Sequence, residues 1–241
     1  MMTGEMAHST PAVALRAFRV WQVVVVFVAG VGASAGAFFA LFELGVRENL
    51  SIALASAVQP TVMAVLLVWI ARRWGGGVRE SLGMRFSWRA VGLGTAFGSA
   101  AIFAATIAAI AVTVISGEEI SATAADVTLL FEGDTAAIGV MIFAIAVLAP
   151  ISEELVFRGA LWSALERLRW PAFAISIVSA GLFALIHFEP ERIAVLLVAG
   201  LFMSEARRVT GSVVGSMVAH GIVNGVSALG LLATLSGNLP S

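Results

Sequence analysis

From Val91 to Ile115 the chain carries no ionisable side chain, and comparable apolar stretches recur along most of its length. A stretch of that length and character spans the roughly 30 Å hydrocarbon core of a bilayer as a helix. Composition agrees. Of 241 residues, 60% are hydrophobic and only 12% charged, about half the charge of an ordinary soluble domain. The mean hydropathy is +1.00. The expected fold class is therefore all-α, a polytopic membrane bundle of about seven to eight transmembrane helices in contact with the lipid bilayer. A net charge of −1 offers no field for nucleic acid. Cysteine is absent, which excludes disulfides, thiol catalysis and cysteine-ligated metal.

The spans read in order as Trp21 to Leu44, Ile52 to Ala71 with a break at Gln59-Pro60, Val91 to Ile115, Ala136 to Leu168, Pro171 to Phe188, Ile193 to Ala206 and Ser212 to Leu235. Residues 120–131 are a candidate for a further short or interfacial helix. The first span is too long for the apolar core of a signal peptide and is expected to be retained. Gly32 with Gly36, and Gly94 with Gly98, have the four-residue spacing that lets helices approach closely in lipid. The fourth span would measure roughly 50 Å if straight, so a kink at Pro150 and a strong tilt are expected. The tail 1–20 precedes one membrane-embedded domain, 21–241.

Every basic residue is arginine, a hint of a prokaryotic chain and its cell membrane. Arginines gather before span one, between spans two and three (Arg72, Arg73, Arg79, Arg85, Arg89), after span four and after span six (Arg207, Arg208), whereas Glu118, Glu119, Asp126, Glu132 and Asp134 mark an alternate loop. The positive-inside rule puts the N-terminus in the cytoplasm. The segment from Glu80 to Arg89, with Leu82, Met84, Phe86 and Trp88, is expected at that surface.

Against this background Pro150-Ile-Ser-Glu-Glu-Leu-Val-Phe-Arg158 stands out. It follows an unbroken apolar run, and each ionisable group inside a membrane costs roughly 3 kcal/mol. Glu154 and Arg158 are one helical turn apart and can pair, while Glu153 points about 100° away and is free to face something else. His187 ends Phe183-Ala-Leu-Ile-His187; His220 and Asn224 share a helical face, flanked by Gly221 and Gly225. Counting from the basic ends places Glu154 at a depth of roughly 20 Å, His187 about 25 Å and His220 about 15 Å. Three helices thus bring acid, imidazole and amide to one layer. His8 lies in the polar tail, Phe183 reads as packing, and Glu43, Glu189, Glu191 and Glu205 read as interfacial.

Glu153-Glu154-x-x-x-Arg158, Phe183-x-x-x-His187 and His220-x-x-x-Asn224, in that order on successive apolar helices, resemble the CAAX-protease and bacteriocin-processing (CPBP, or Abi) family of intramembrane endopeptidases. The likeness covers 150–225. It implies about eight membrane helices and hydrolysis of a peptide bond in a peptide or membrane-protein substrate. It further implies Glu153 as general base, His187 holding or polarising the water, and Glu154 with Arg158 fixing the first glutamate. His220 and Asn224 share a face and can donate to an oxyanion, and a glutamate in a low-dielectric cavity is a competent base.

The same residues have a metal reading, with Glu153, His187 and His220 as an open three-ligand zinc site. The glutamate reading is preferred because no pair has the His-Glu-x-x-His spacing. Outside hydrolysis, the polar set also suits a proton- or ion-coupled transporter, although the halves show no repeat. A non-catalytic immunity scaffold would be expected to have lost part of the set.

Overall fold

The computed structural model describes residues 18–117, 131 and 133–235. Among them the chain forms eight helices and no strand: α1 Val20–Glu43, α2 Glu48–Trp74, the single turn α3 Val78–Ser81, α4 Trp88–Ser116, α5 Thr135–Arg167, α6 Ala172–Leu185, α7 Ile193–Thr210 and α8 Val213–Leu235. Five of them (α1, α2, α4, α5 and α8) are long and apolar enough to cross a membrane. This is a multi-pass helical membrane protein. Two of the seven expected spans do not reach that standard. Helix α6 has 14 residues, about 21 Å of rise, and α7 carries Glu205, Arg207 and Arg208 in its last turns. The candidate helix at 120–131 lies outside the described residues except for Phe131, which is buried against Ala53, Ala137 and Leu231. His8 is also outside them.

Helix α5 is the axis. It packs on α2 along one side and α8 along the other, while α4 and α6 clasp α7 and α8 leans on α4. From Glu154 to Leu165 every residue of α5 is buried, the signature of a helix enclosed on all faces. α1 leans on α2, where Gly30 meets Met63; a side chain at Gly30 would lie 2.6 Å from Met63 Cγ. A Cβ at Gly32 or Gly36, by contrast, would meet none of the described residues within 4 Å. The second glycine pair is where backbones close up: a Cβ at Gly94 would fall 2.4 Å from the Gly215 carbonyl, and one at Gly98 2.7 Å from that of Ala219. α8 is therefore seated against α4 immediately before His220.

Neither proline interrupts its helix. α2 continues through Pro60 instead of breaking there; proline is tolerated inside membrane helices, where neighbouring groups can serve the carbonyl it frees. At Pro150 the expected kink takes another form: two π-helical turns, Ala144–Leu148 and Leu155–Leu161, bracket the segment Ala149–Glu154. A wider turn ahead of Pro150 relieves the clash its ring would make with the carbonyl four residues back. The segment Glu80 to Arg89 is only partly superficial. Phe86 and Trp88 are exposed, but Leu82 is fully buried and packs on Gly159 of α5.

Candidate active site

Glu153 and Glu154 leave α5 in different directions, and their surroundings differ accordingly. Glu154 and Arg158 are both completely buried, with Arg158 Nη1 donating to Glu154 Oε1 at 2.9 Å. Glu153 keeps 19% of its side chain accessible and faces a cavity of about 590 Å³. His187, His220 and Asn224 face the same cavity, whose remaining wall is mainly apolar side chains of α4, α5, α7 and α8.

His220 joins the two environments. Its Nδ1 lies 2.9 Å from Glu154 Oε1, so that oxygen receives both the imidazole and the guanidinium. A carboxylate held by Arg158 can only accept, so Nδ1 carries the hydrogen. Nε2 then faces Glu153, 3.8 Å from its Oε2. Glu154 Oε2 is buried without a hydrogen-bond partner among the described residues; the adjacent Ser216 donates its hydroxyl to the Val213 carbonyl instead.

His187 ends up the same way round by a different route. Its Nδ1 lies 2.7 Å from the Phe183 carbonyl, one turn earlier. A carbonyl accepts, which leaves Nε2 as the lone-pair nitrogen. Phe183 is more than filler: its ring meets His187 at 4.7 Å, His220 at 5.5 Å edge-on, and the Arg158 guanidinium at 5.0 Å. It partitions the cavity from the ion pair. Asn224 donates one amide hydrogen to the carbonyl of Ile145, at 3.0 Å, in the first π turn of α5. Its second N–H and its oxygen are left for the cavity.

The sequence reading missed the residues that hold Arg158. Its Nη2 donates to the Gly200 carbonyl at 2.6 Å and its Nε to Ser204 Oγ at 3.2 Å, both on α7. Arg207, expected in a loop with Arg208, is instead turned inward at 8% exposure, with Nε donating to the carbonyl of Arg158 at 2.9 Å. That carbonyl has lost its ordinary helical donor: the Trp162 N–H bonds to Gly159 and Phe157 and passes over Arg158. The wide turn is thus held open by donors from neighbouring helices, Arg207 on Arg158 and Ser179 Oγ on Phe157 at 3.3 Å. The guanidinium of Arg207 also lies 5.4 Å from the Trp162 ring and against Gly83, whose φ of 66° and 2.4 Å Cβ clearance suit only glycine. A signal existed in the sequence, because Gly200, Ser204 and Arg207 stand at i, i+4 and i+7 on one face.

Glu189, expected at the interface, borders the cavity together with Arg192, and the two form an ion pair. The metal reading fares less well. Both histidines present Nε2 with Nδ1 engaged, as metal ligands commonly do. Yet no three carboxylate or imidazole side chains among the described residues are gathered closely enough to hold an ion.

Residues 135–226 match the family model described as type II CAAX prenyl endopeptidase, Rce1-like. No curated protein and no solved structure matches the chain. The matched stretch takes in less than half the sequence but all of α5, α6 and α7 and most of α8, with both histidines and both adjacent glutamates inside it. The part of the chain from residue 135 to 226 is accordingly an Rce1-like domain, and its family, the type II CAAX prenyl endopeptidases, is one of proteases.

Proposed function

We propose that this protein is an intramembrane endopeptidase in which Glu153 activates water for attack on a peptide bond. One observation carries the reading: Glu153 of α5, His187 of the turn that follows α6, and His220 and Asn224 of α8 border a single cavity large enough for a peptide segment. Glu153 takes a proton from a water as the water oxygen bonds to the carbonyl carbon. The Nε2 lone pair of His187 accepts a hydrogen bond from the other O–H, which stays on the water oxygen, and so orients that water. The carbonyl oxygen becomes an oxyanion, towards which Asn224 turns its unspent N–H. His220 joins as a donor from Nε2 when its ring is doubly protonated, with Glu154 as the facing charge. When the tetrahedral species collapses, the C–N bond breaks and the proton on Glu153 passes to the leaving nitrogen.

Glu154 and Arg158 do not face the substrate in this scheme. They hold His220, and through it the direction of the site. No step passes through a metal. The family's namesakes act on prenylated CAAX proteins; for this chain the substrate is a peptide or membrane-protein segment, as the apolar cavity wall suits. The asymmetric arginines support a cytoplasmic N-terminus in a prokaryotic cell membrane, with residues 21–241 as one membrane domain. The test is cleavage of a fluorogenic membrane peptide by the purified chain and by Glu153→Ala, His187→Ala and His220→Ala. Each variant should lose cleavage, Glu153→Ala and His187→Ala with the parent's thermal unfolding profile and His220→Ala with a lowered one, since the buried Glu154 then loses a donor; undiminished cleavage in all three rejects the proposal.

A further inference from the structure

Behind α5, away from the cavity that Glu153 faces, lies a second depression of about 730 Å³ between α2 and α5. α2 supplies one side through Val65, Val68 and Trp69, and α5 the other through Ile151 and Leu155, with Met84 also lining it. Val65, Trp69 and Ile151 remain 61%, 52% and 42% exposed, so no other part of the described chain covers it. One end is charged. Arg72 and Arg73 border it there, both exposed and neither in an ion pair among the described residues. Trp69 and Trp74 meet edge-to-face at 4.7 Å in the same turn, and the Arg73 guanidinium lies 5.9 Å from the Trp74 ring. Tryptophan and arginine together at the end of an apolar span mark the headgroup level of a bilayer.

An apolar trough that runs in from paired guanidiniums at that level has the shape and charge of a phospholipid: an acyl chain below, an anionic headgroup above. Two unpaired cations leave a zwitterionic lipid with little advantage. Between Trp74 and Ser116 the one acid is Glu80, against Arg79, Arg85 and Arg89, so that segment adds more positive than negative charge. We propose that the α2–α5 groove is a binding site for one phospholipid, selective for an anionic headgroup held by Arg72 and Arg73. Its chain would lie on Ile151 and Leu155, which flank the two glutamates on the reverse side of α5. The site does not depend on the proposed reaction.

The test is native mass spectrometry of the full chain, released from detergent and titrated with phosphatidylglycerol or phosphatidylcholine of identical acyl chains. The parent should retain one phosphatidylglycerol at about tenfold lower concentration than phosphatidylcholine. Arg72→Gln with Arg73→Gln should abolish that preference, whereas Arg79→Gln, outside the groove, should leave it. Val68→Trp fills the trough with both arginines kept and should expel the retained lipid. Equal retention of the two lipids by the parent overturns the proposal. So does an unchanged preference in either groove variant, or an equal loss in Arg79→Gln, which would mean diffuse surface charge.

Discussion

Two neighbouring glutamates divide this molecule into a sealed half and an open half. On the sealed side all three nitrogens of Arg158 have acceptors, on Glu154, Ser204 and the Gly200 carbonyl, and nothing there meets solvent. On the open side the polar atoms are unspent: among the described residues Glu153 has His220 Nε2 at 3.8 Å, and His187, His220 and Asn224 each use one group on the scaffold and leave another free. The difference separates structure from chemistry. A buried cation whose every nitrogen has an acceptor fixes geometry, while polar atoms kept free around a cavity are available to a ligand.

The comparison can be tested by cutting each half separately. The largest effect is expected for Glu153→Gln, which preserves size but removes the base; kcat should fall about 10³-fold, with the unfolding temperature unchanged. Loss of stability instead of activity would move Glu153 to the sealed half. Arg158→Met should do the reverse first, lowering stability by about 3–5 kcal/mol because Glu154 is left buried without its cation, as read by thermal unfolding in detergent. Asn224→Ala should reduce kcat about 10²-fold with a smaller change in KM, the pattern of a donor to the transition state. The smallest effect belongs to Arg207→Met, about 1–3 kcal/mol for the lost bond to the Arg158 carbonyl. If lysine at 207 restores stability, charge near that carbonyl suffices; if it does not, the planar guanidinium on Trp162 is required.

Much of the open half was legible because it depends on helical spacing alone. His220 and Asn224 are one turn apart whatever surrounds them, and the 100° step between Glu153 and Glu154 sends them to different neighbours. What local spacing cannot express is which helix stands opposite. That His220 would take Glu154, that Gly200 and Ser204 would take Arg158, and that Arg207 would turn inward are properties of how α5, α7 and α8 meet. Arg207 was misplaced by a sound rule, since an arginine next to another at the end of a span is usually outside. Here Gly83 and the opened turn of α5 made room for it. Pro60 misled for the same reason: a proline's cost is local, but its remedy lies in neighbouring groups.

The π turn from Leu155 to Leu161 has a further consequence for how this stretch can tolerate change. A turn closed five residues on, instead of four, contains one residue more than its neighbours. Everything after it, Trp162 included, is rotated by about 100° from the phase an unbroken α-helix would impose. Length therefore matters here as much as identity. Dropping a single residue from this turn would let an ordinary α turn carry the helix end on in its present phase, whereas dropping one elsewhere in α5 would swing that end out of step with the scaffold while every motif letter stayed in place.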